Sequence, residues 1–417
     1  MWLGSMYRYN DLNINKHYIY LDDDYYPILL PCLFARYTQL MNYRIKIISK
    51  SKLHKKISHQ FIEKEISKDQ SYKICNHLGR FLEWINEYKG LEFVNLSTHT
   101  ALPDFVINEY INDYLINTCG KSEAVAKQAV DSLNSYYDWL AFFLGNNQKF
   151  IGIQTKYRKI ARSNNASELT IKYLLPQTRE LLYRNSSTLL QEIVLRNGGE
   201  LGCRSRENQG FLLEDQKVNQ KVYKGILTLF KELEIKPYKE EFEYRLSSLY
   251  TKYGRARNLF IPRSLLEKMK LYFDTERPHS ASNHLLVSSS KNYSFGQCVS
   301  KRYGSDVFAK VRRRVIRESR NAPKLYRNQQ VISESNTYHH LRHSFGTDFF
   351  YNLCEGQNKD YESITTSSSV YLMTANRLGH KVDSKYSNTV TASYIHSCGH
   401  REDLLKEVVN GAFGKNE

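Results

Sequence analysis

A mainly α chain with a small β-hairpin, built as a helical domain followed by a larger mixed α/β domain, is the fold class that three observations predict. Apolar residues recur at helical spacing through residues 59–145. Strand-like runs are few, the clearest being 242–250 and 259–261, with Gly254 between them to turn the chain. The chain has 417 residues, 41% of them apolar, and only 8 prolines. It is therefore globular and long enough for two or three domains with their own cores.

In chain order, residues 1–58 hold a strand at 17–21 and a short helix at 33–41. They close with a basic run, Arg44, Lys46, Lys50, Lys52, Lys55 and Lys56, interleaved with isoleucines and Leu53. That run reads equally as a solvated face or as a DNA-backbone contact, and the segment's role stays open. Residues 59–148 form the helical domain. One helix near 72–88 puts Leu78, Phe81, Leu82 and Ile85 on one side. A second follows Pro103, which suits a first helical turn, and carries Val106, Ile107, Tyr110, Ile111 and Tyr114. A third starts at Ser122 as N-cap and runs through Val125, Ala129, Leu133, Tyr136, Tyr137 and Leu140.

Residues 149–168 are polar, with Lys156, Arg158, Lys159 and Arg162, and read as an inter-domain linker able to lie along a phosphate backbone. The second domain, 169–417, opens with helices at 174–183 and 187–196. Its hairpin turn carries Lys252, Arg255 and Arg257, either as an exposed loop or as a probe into a nucleic-acid groove. Downstream, Lys310, Arg312, Arg313, Arg314, Arg317 and Arg320 crowd one helical segment too densely for a solvated face alone.

Charge narrows the partner. With 60 Lys+Arg against 43 Asp+Glu the formal net charge is +17, a field that favours a polyanion, and double-stranded DNA is the expected partner. The longest apolar stretch, 25–34, contains Pro27 and Pro31 and is too short to span a membrane. No secretory signal opens the chain, so a cytoplasmic, DNA-associated protein is expected. The seven scattered cysteines form no CxxC pair and suit free thiols. His396, Cys398 and His400 find no second ligand pair to complete a zinc site. No metal and no cofactor are expected.

One cluster concentrates the chemistry. In the run from Thr337 to Thr347, His339, Arg342 and His343 fall at i, i+3 and i+4 at the start of an apolar helix. Free N–H groups and the helix dipole already attract an anion there, and phosphate is the natural one. His340 lies off that face.

These residues resemble a motif of the tyrosine recombinase (phage integrase) family. The family's second box, His-x-Leu-Arg-His followed by Ser or Thr, is matched by His339-His340-Leu341-Arg342-His343-Ser344. Gly202-Cys203-Arg204-Ser205-Arg206-Glu207 is similar to the first box. It departs from it at Ser205, where an apolar residue is usual, and at Arg206, where a small one is, so Arg206 is a frame-shifted rival to Arg204. Lys252 matches the hairpin lysine, with Gly254 and Phe260-Ile261-Pro262 after it, and Leu378-Gly379-His380 matches the third box. Tyr394-Ile395-His396, with Thr391 before it, fits the nucleophile motif. Tyr394 stands further beyond His380 than is usual, which implies an insertion around 381–387 and leaves Tyr386 as a competitor.

The resemblance covers residue 59 to the C-terminus: 59–148 resembles the core-binding domain and 169–417 the catalytic domain. It implies a site-specific recombinase or integrase that moves a mobile element by integration or excision, cleaving and rejoining DNA through a 3′-phosphotyrosyl intermediate without a metal. The roles implied are Tyr394 as nucleophile, Arg204 and Arg342 gripping the phosphate, and Lys252 protonating the leaving 5′-oxygen. His339 would attend the tyrosine proton and His380 the phosphate, with Glu207 and His343 supporting them. Arg255, Arg257, Arg312, Arg313, Arg314 and Arg317 join Lys156, Arg158, Lys159 and Arg162 as expected DNA contacts. A homo-tetramer on DNA, monomeric or dimeric when free, is implied, together with accessory DNA-bending or partner recombinase proteins. The amphipathic stretch 402–413 packs either on a neighbouring subunit or in its own core. Two alternatives stand: a type IB topoisomerase, and a catalytically silent DNA-binding relative.

Overall fold

The computed structural model describes residues 6–9, 17–49, 59–164, 172–252, 254–327, 329–380 and 397–406. The chain divides into two compact units, Met1–Thr170 and Ile171–Glu417. Both are mainly helical, and the sheets among the described residues are two-stranded and antiparallel.

The first unit opens with paired strands β1 (Met6–Tyr9) and β2 (His17–Tyr20), then helix α1 (Leu29–Arg36), which widens into a π turn ending at Met41. A hairpin of β3 (Tyr43–Ser49) and β4 (His59–Glu65) follows. Helices α2 (Lys68–Glu87), α3 (Asp104–Glu109, continued by π turns to Thr118), α4 (Glu123–Leu144) and α5 (Thr155–Ser163) complete it. Helix α2 starts where the Ser67 hydroxyl accepts the Gln70 N–H at 3.2 Å, satisfying one of the donors a helix start leaves unpaired. Helix α4 stops at Gly145 in the left-handed region.

One core closes this unit. Tyr18, Tyr20, Phe34, Ala35 and Ile45 are buried with Ile74, Leu78, Phe81 and Ile85 of α2 and Leu133, Tyr136 and Leu140 of α4. The β3–β4 register runs from Tyr43↔Glu65 to Ser49↔His59, straight across the boundary expected at residue 58. Residues 17–49 are therefore part of the helical unit. Arg44, expected in a solvent-facing basic run, is buried and paired with Asp131 of α4 at 2.6 Å, because an unpaired guanidinium under a sheet would be costly. Lys50, Lys52, Lys55 and Lys56 lie outside the described residues.

Residues 149–163, read from sequence as a polar linker, are instead strapped to the same unit. The Asn112 amide donates to Gly152 O and accepts from Gln154 N–H, and Asn108 accepts from Gly152 N–H at 2.9 Å. Tyr157 and Ala161 are buried, and Lys156, Arg158, Lys159 and Arg162 line the exposed side of α5. Two apolar anchors per helix are easily missed in so polar a stretch.

The second unit runs through α6 (Pro176–Arg184), α7 (Leu189–Glu200), a short hairpin β5 (Gln216–Val218) and β6 (Lys221–Tyr223), α8 (Ile226–Ile235), and the hairpin β7 (Glu241–Leu246) and β8 (Arg257–Pro262). It continues with α9 (Arg263–Thr275), α10 (Tyr303–Asn321), α11 (Tyr338–Gly356) and α12 (Ser369–Leu378), and residues 397–406 are again helical. Ile193, Val194 and Leu195 of α7 share a core with Phe242, Tyr244, Leu259 and Ile261 of the hairpin, Val307 and Val311 of α10, and Leu341 of α11. Strand β7 is shorter than its sequence pattern because Ser247 caps a 3₁₀ turn over Ser248–Tyr250. The four motifs that fall within the described residues thus sit at element ends: after α7, between β7 and β8, at the start of α11, and at the end of α12.

The stretch 397–406 docks within its own unit. Cys398 is buried with Phe350, Cys354 and Val370, and Arg401 lies 3.4 Å from Asp348 of α11. That aspartate also accepts from Tyr173 Oη at 2.5 Å and pairs with Arg179. Residues 407–413 lie outside the described residues.

Candidate active site

Glu207 is the centre of the site. It is fully buried in a short 3₁₀ helix, Ser205–Gly210, that begins where α7 has ended. Its Oε1 accepts from Arg204 Nη1 at 2.9 Å, and its Oε2 from the Arg204 backbone N–H at 2.9 Å and from Arg257 Nη2 at 2.8 Å. Arg342 Nη1 stands 3.7 Å from the same Oε2. Burial alone would raise this carboxyl's pKa, but Arg257, then Arg342 and Arg204, outweigh it and hold the group down at about 2. The carboxylate is charged at any physiological pH.

Two glycines make the packing feasible. Gly202 has φ 62°, and a Cβ there would stand 2.5 Å from the Phe345 ring. Its carbonyl accepts from both Arg342 Nη1 and Arg257 Nη2. Gly379, φ 65°, ends α12 in the left-handed cap from which His380 emerges, and a Cβ there would meet Arg257 Cδ at 2.9 Å.

The two arginines expected to grip a phosphate differ in access. Arg204 is half-buried, and Glu207 is the only partner of its guanidinium among the described residues. It lines a recess with Lys252, Thr251 and Arg255. Arg342 is only 1% exposed; it donates to Gly202 O and to Leu378 O at 2.6 Å, and its Nη2 is 3.2 Å from His380 Nε2. The direct grip expected of Arg342 is therefore closed off here, since the turn of Gly202 and the end of α12 use its donors. Arginine has no acceptor, so His380 Nε2 must accept, and the neutral ring carries its proton on Nδ1. Arg206, the rival first arginine, sends Nη2 to Leu249 O at 3.1 Å.

The histidines are tuned downward. Desolvation, then Arg342 and Arg204, lower the His380 pKa to about 3. Desolvation and the same two guanidiniums also pull the exposed His339 below its usual range. His343 is lowered to about 3 by burial and by His339, whose ring it meets edge-on at 4.5 Å. All three are neutral near pH 7, ready to accept or share a proton. His340, off this face, accepts the Thr337 N–H through Nδ1 at 3.1 Å and closes the start of α11.

Three residues expected on DNA are used within the protein. Arg257, read either as an exposed turn residue or as one reaching for a groove, is buried at the head of β8, where carbonyls and Glu207 take the donors of its two Nη atoms. Arg312 donates to Glu334 O and Asn336 O, and Arg314 to Asn185 O at 2.8 Å and Ser187 Oγ at 2.6 Å. Loop carbonyls without partners recruit such donors. Lys252, Arg255, Arg313 and Arg317 are exposed. Tyr394, its rival Tyr386 and the implied insertion at 381–387 lie outside the described residues. Lys172, which adds positive field beside His339, His340 and His343, was missed by sequence reasoning because it belongs to no motif.

No family model and no curated protein matches the chain. Solved structures do match. Among them are site-specific recombinases and integrases. XerH site-specific recombinase, in a pre-cleavage complex with its difH substrate, is 15% identical over 83% of this chain and 80% of its own, with a TM-score of 0.44. A lambda integrase dimer bound to a core site is 13% identical over 80% and 90%, with a TM-score of 0.43. The Tn1549 transposon integrase with a circular intermediate DNA is 12% identical over 79% and 90%, with a TM-score of 0.41.

Proposed function

We propose that this chain is a site-specific tyrosine recombinase that cuts duplex DNA with Tyr394 and rejoins it through a 3′-phosphotyrosyl link. The observation that carries the reading is the convergence of separated motifs: Arg204 and Arg342 meet at Glu207, His380 sits against Arg342, Lys252 shares the recess of Arg204, and His339 lies within the same charge cluster.

The chemistry follows from the groups. A phenol oxygen that attacks phosphorus forms one ester as it breaks another, so the backbone bond is exchanged without loss. Negative charge grows on the nonbridging oxygens, and Arg204 offers them paired donors. Neutral His339 takes the phenol proton, Lys252 gives one to the departing 5′-oxygen, and His380 donates its Nδ1–H to the phosphate. Arg342 orients His380 through Nε2, and reaches the phosphate itself only by exchanging its carbonyl partners. A 5′-hydroxyl from another strand then attacks the phosphotyrosine, expelling the phenol and joining strands in new order. Lys156, Arg158, Lys159 and Arg162 of α5 and Arg255, Arg313 and Arg317 are the exposed cations that bind the DNA backbone. A homo-tetramer on DNA and mobile-element integration or excision complete the reading.

The test is a duplex nicked close to the cleavage site, on which a covalent protein–DNA adduct should survive denaturation. DNA binding with no adduct on any such duplex would instead make the chain a silent relative. On this substrate Arg204→Ala should slow adduct formation by about 10² to 10³, as loss of a preorganised donor does. Arg206→Ala should change it little, since its guanidinium serves Leu249 O. The reverse ranking would move the first motif by one frame.

A further inference from the structure

We propose that Arg257 is a positioning residue of this site: it occupies one oxygen of Glu207 and so leaves Arg204 a single binding geometry, aimed into the recess. The inference rests on the recombinase reading and adds to it a residue that touches neither phosphate nor nucleophile.

The geometry is specific. Arg257 enters from the first position of β8, its side chain only 3% exposed. Its Nη1 donates to Arg377 O at 2.7 Å and Leu201 O at 3.4 Å, and its Nη2 to Gly202 O at 3.2 Å and Glu207 Oε2 at 2.8 Å. One guanidinium thus ties together the turn carrying Arg204, the end of α12 carrying His380, and the strand that follows Lys252. The carboxylate is divided between two arginines: Oε2 to Arg257 and the Arg204 backbone, Oε1 to the Arg204 side chain. Without Arg257, Oε2 would be open to the Arg204 and Arg342 side chains, and Arg204 could turn inward. The stem of Arg257 also fills the space above Gly379, where it backs the turn that aims His380.

A packing role alone would predict loss of fold and nothing else. The groups facing Glu207 are Arg204, Arg257 and Arg342, with Lys252 and Arg255 across the recess that it also lines, and with the Cys203 thiol, pushed up to about 12 by burial, and the Tyr338 phenol, also raised by burial, both neutral. Removing Arg257 takes away the foremost of the three charges holding the carboxyl down, so its protonation moves to higher pH.

Arg257→Met and Arg257→Lys, made in the full chain, test the inference by single-turnover cleavage of the nicked duplex across pH, DNA affinity and thermal unfolding. Arg257→Met should slow cleavage about 10- to 100-fold, as loss of a residue supporting a site residue does, with DNA affinity little changed. Its rate should begin to fall at a higher pH than in the unsubstituted chain as acid is added, and Arg257→Lys should recover part of the rate. On a Glu207→Gln background, Arg257→Met should add no more than about twofold, because the two act through one contact. An unchanged pH profile with rate lost only in step with fold, or effects that multiply with Glu207→Gln, would overturn the inference. A chain that forms no adduct sinks the recombinase reading instead. The positioning claim is then decided by side-chain NMR of Arg204, whose Nε–H signal should change in both Arg257 variants if Arg257 restrains it. An unchanged signal refutes the claim.

Discussion

Tyr394→Phe is expected to abolish the denaturation-resistant DNA adduct completely, while Tyr386→Phe leaves it in place. The substitution removes one oxygen, and that oxygen is the only atom of the side chain able to bond to phosphorus, so the loss should be total. The phenyl ring remains, and binding to intact duplex should be preserved because backbone cations supply it. The assignment rests on the Tyr-x-His pattern of Tyr394-Ile395-His396 in a chain with 32 tyrosines. The stretch holding it begins after His380, at the cap of α12, and ends at Ser397, buried at the start of the helix held by Arg401 and Asp348. Both of its ends belong to the unit that carries the site. Denaturing gel shift of each variant on the nicked duplex decides between the two tyrosines. An adduct that persists in Tyr394→Phe and vanishes in Tyr386→Phe would transfer the role.

Glu207→Ala should lower the unfolding free energy by about 3–5 kcal/mol, the range for removing one partner of a buried ion pair, as read by urea unfolding of the full chain at pH 7. Three guanidiniums face this carboxylate, and Arg257 and Arg342 have side chains only 3% and 1% exposed. With the anion gone, two buried cations would keep only neutral partners, chiefly carbonyls, with His380 beside Arg342 and Cys203 beside Arg257. Glu207→Gln preserves the shape and should fall between. The folded-state pKa of about 2 lies below the ordinary glutamate value of about 4.3. The stabilisation is therefore complete above about 4.3 and is lost as pH falls toward 2. The gap between the native chain and Glu207→Gln should close over that window; a gap that widens with acid would contradict the cage.

Much of this arrangement could be read in advance, for local reasons. Helix α4 carries its own start signal, Ser122, whereas α2 begins at Lys68 behind Ser67, ahead of the start expected near 72. Their apolar stripes at helical spacing mark the buried face. The arginine, lysine and histidines of the motifs were legible because each lies in a short contiguous run. What escaped depended on partners distant in sequence. Arg257 looks like any turn arginine until the carbonyls of Leu201, Gly202 and Arg377 arrive beside it. Arg342 looks like an open phosphate ligand until the end of α12 covers it. Residues 149–163 read as a linker because their attachment is two asparagine side chains on α3 and its extension plus only two buried anchors on α5, Tyr157 and Ala161, too few to stand out in a polar run.

The pairing of β3 with β4 bears on where this chain can be cut. A piece of the first unit starting at residue 59 would keep β4 but lose its hydrogen-bonding neighbour, leaving a bare strand edge beside the exposed rings of Phe142 and Phe143. It would also lose Tyr18, Tyr20, Phe34 and Ile45 from the core. Such an edge over an opened apolar floor is a template for self-association. A piece of the unit that keeps this core and the paired edge of β4 therefore begins ahead of His17. Residues 17–49, physically, close the core over α2 and α4.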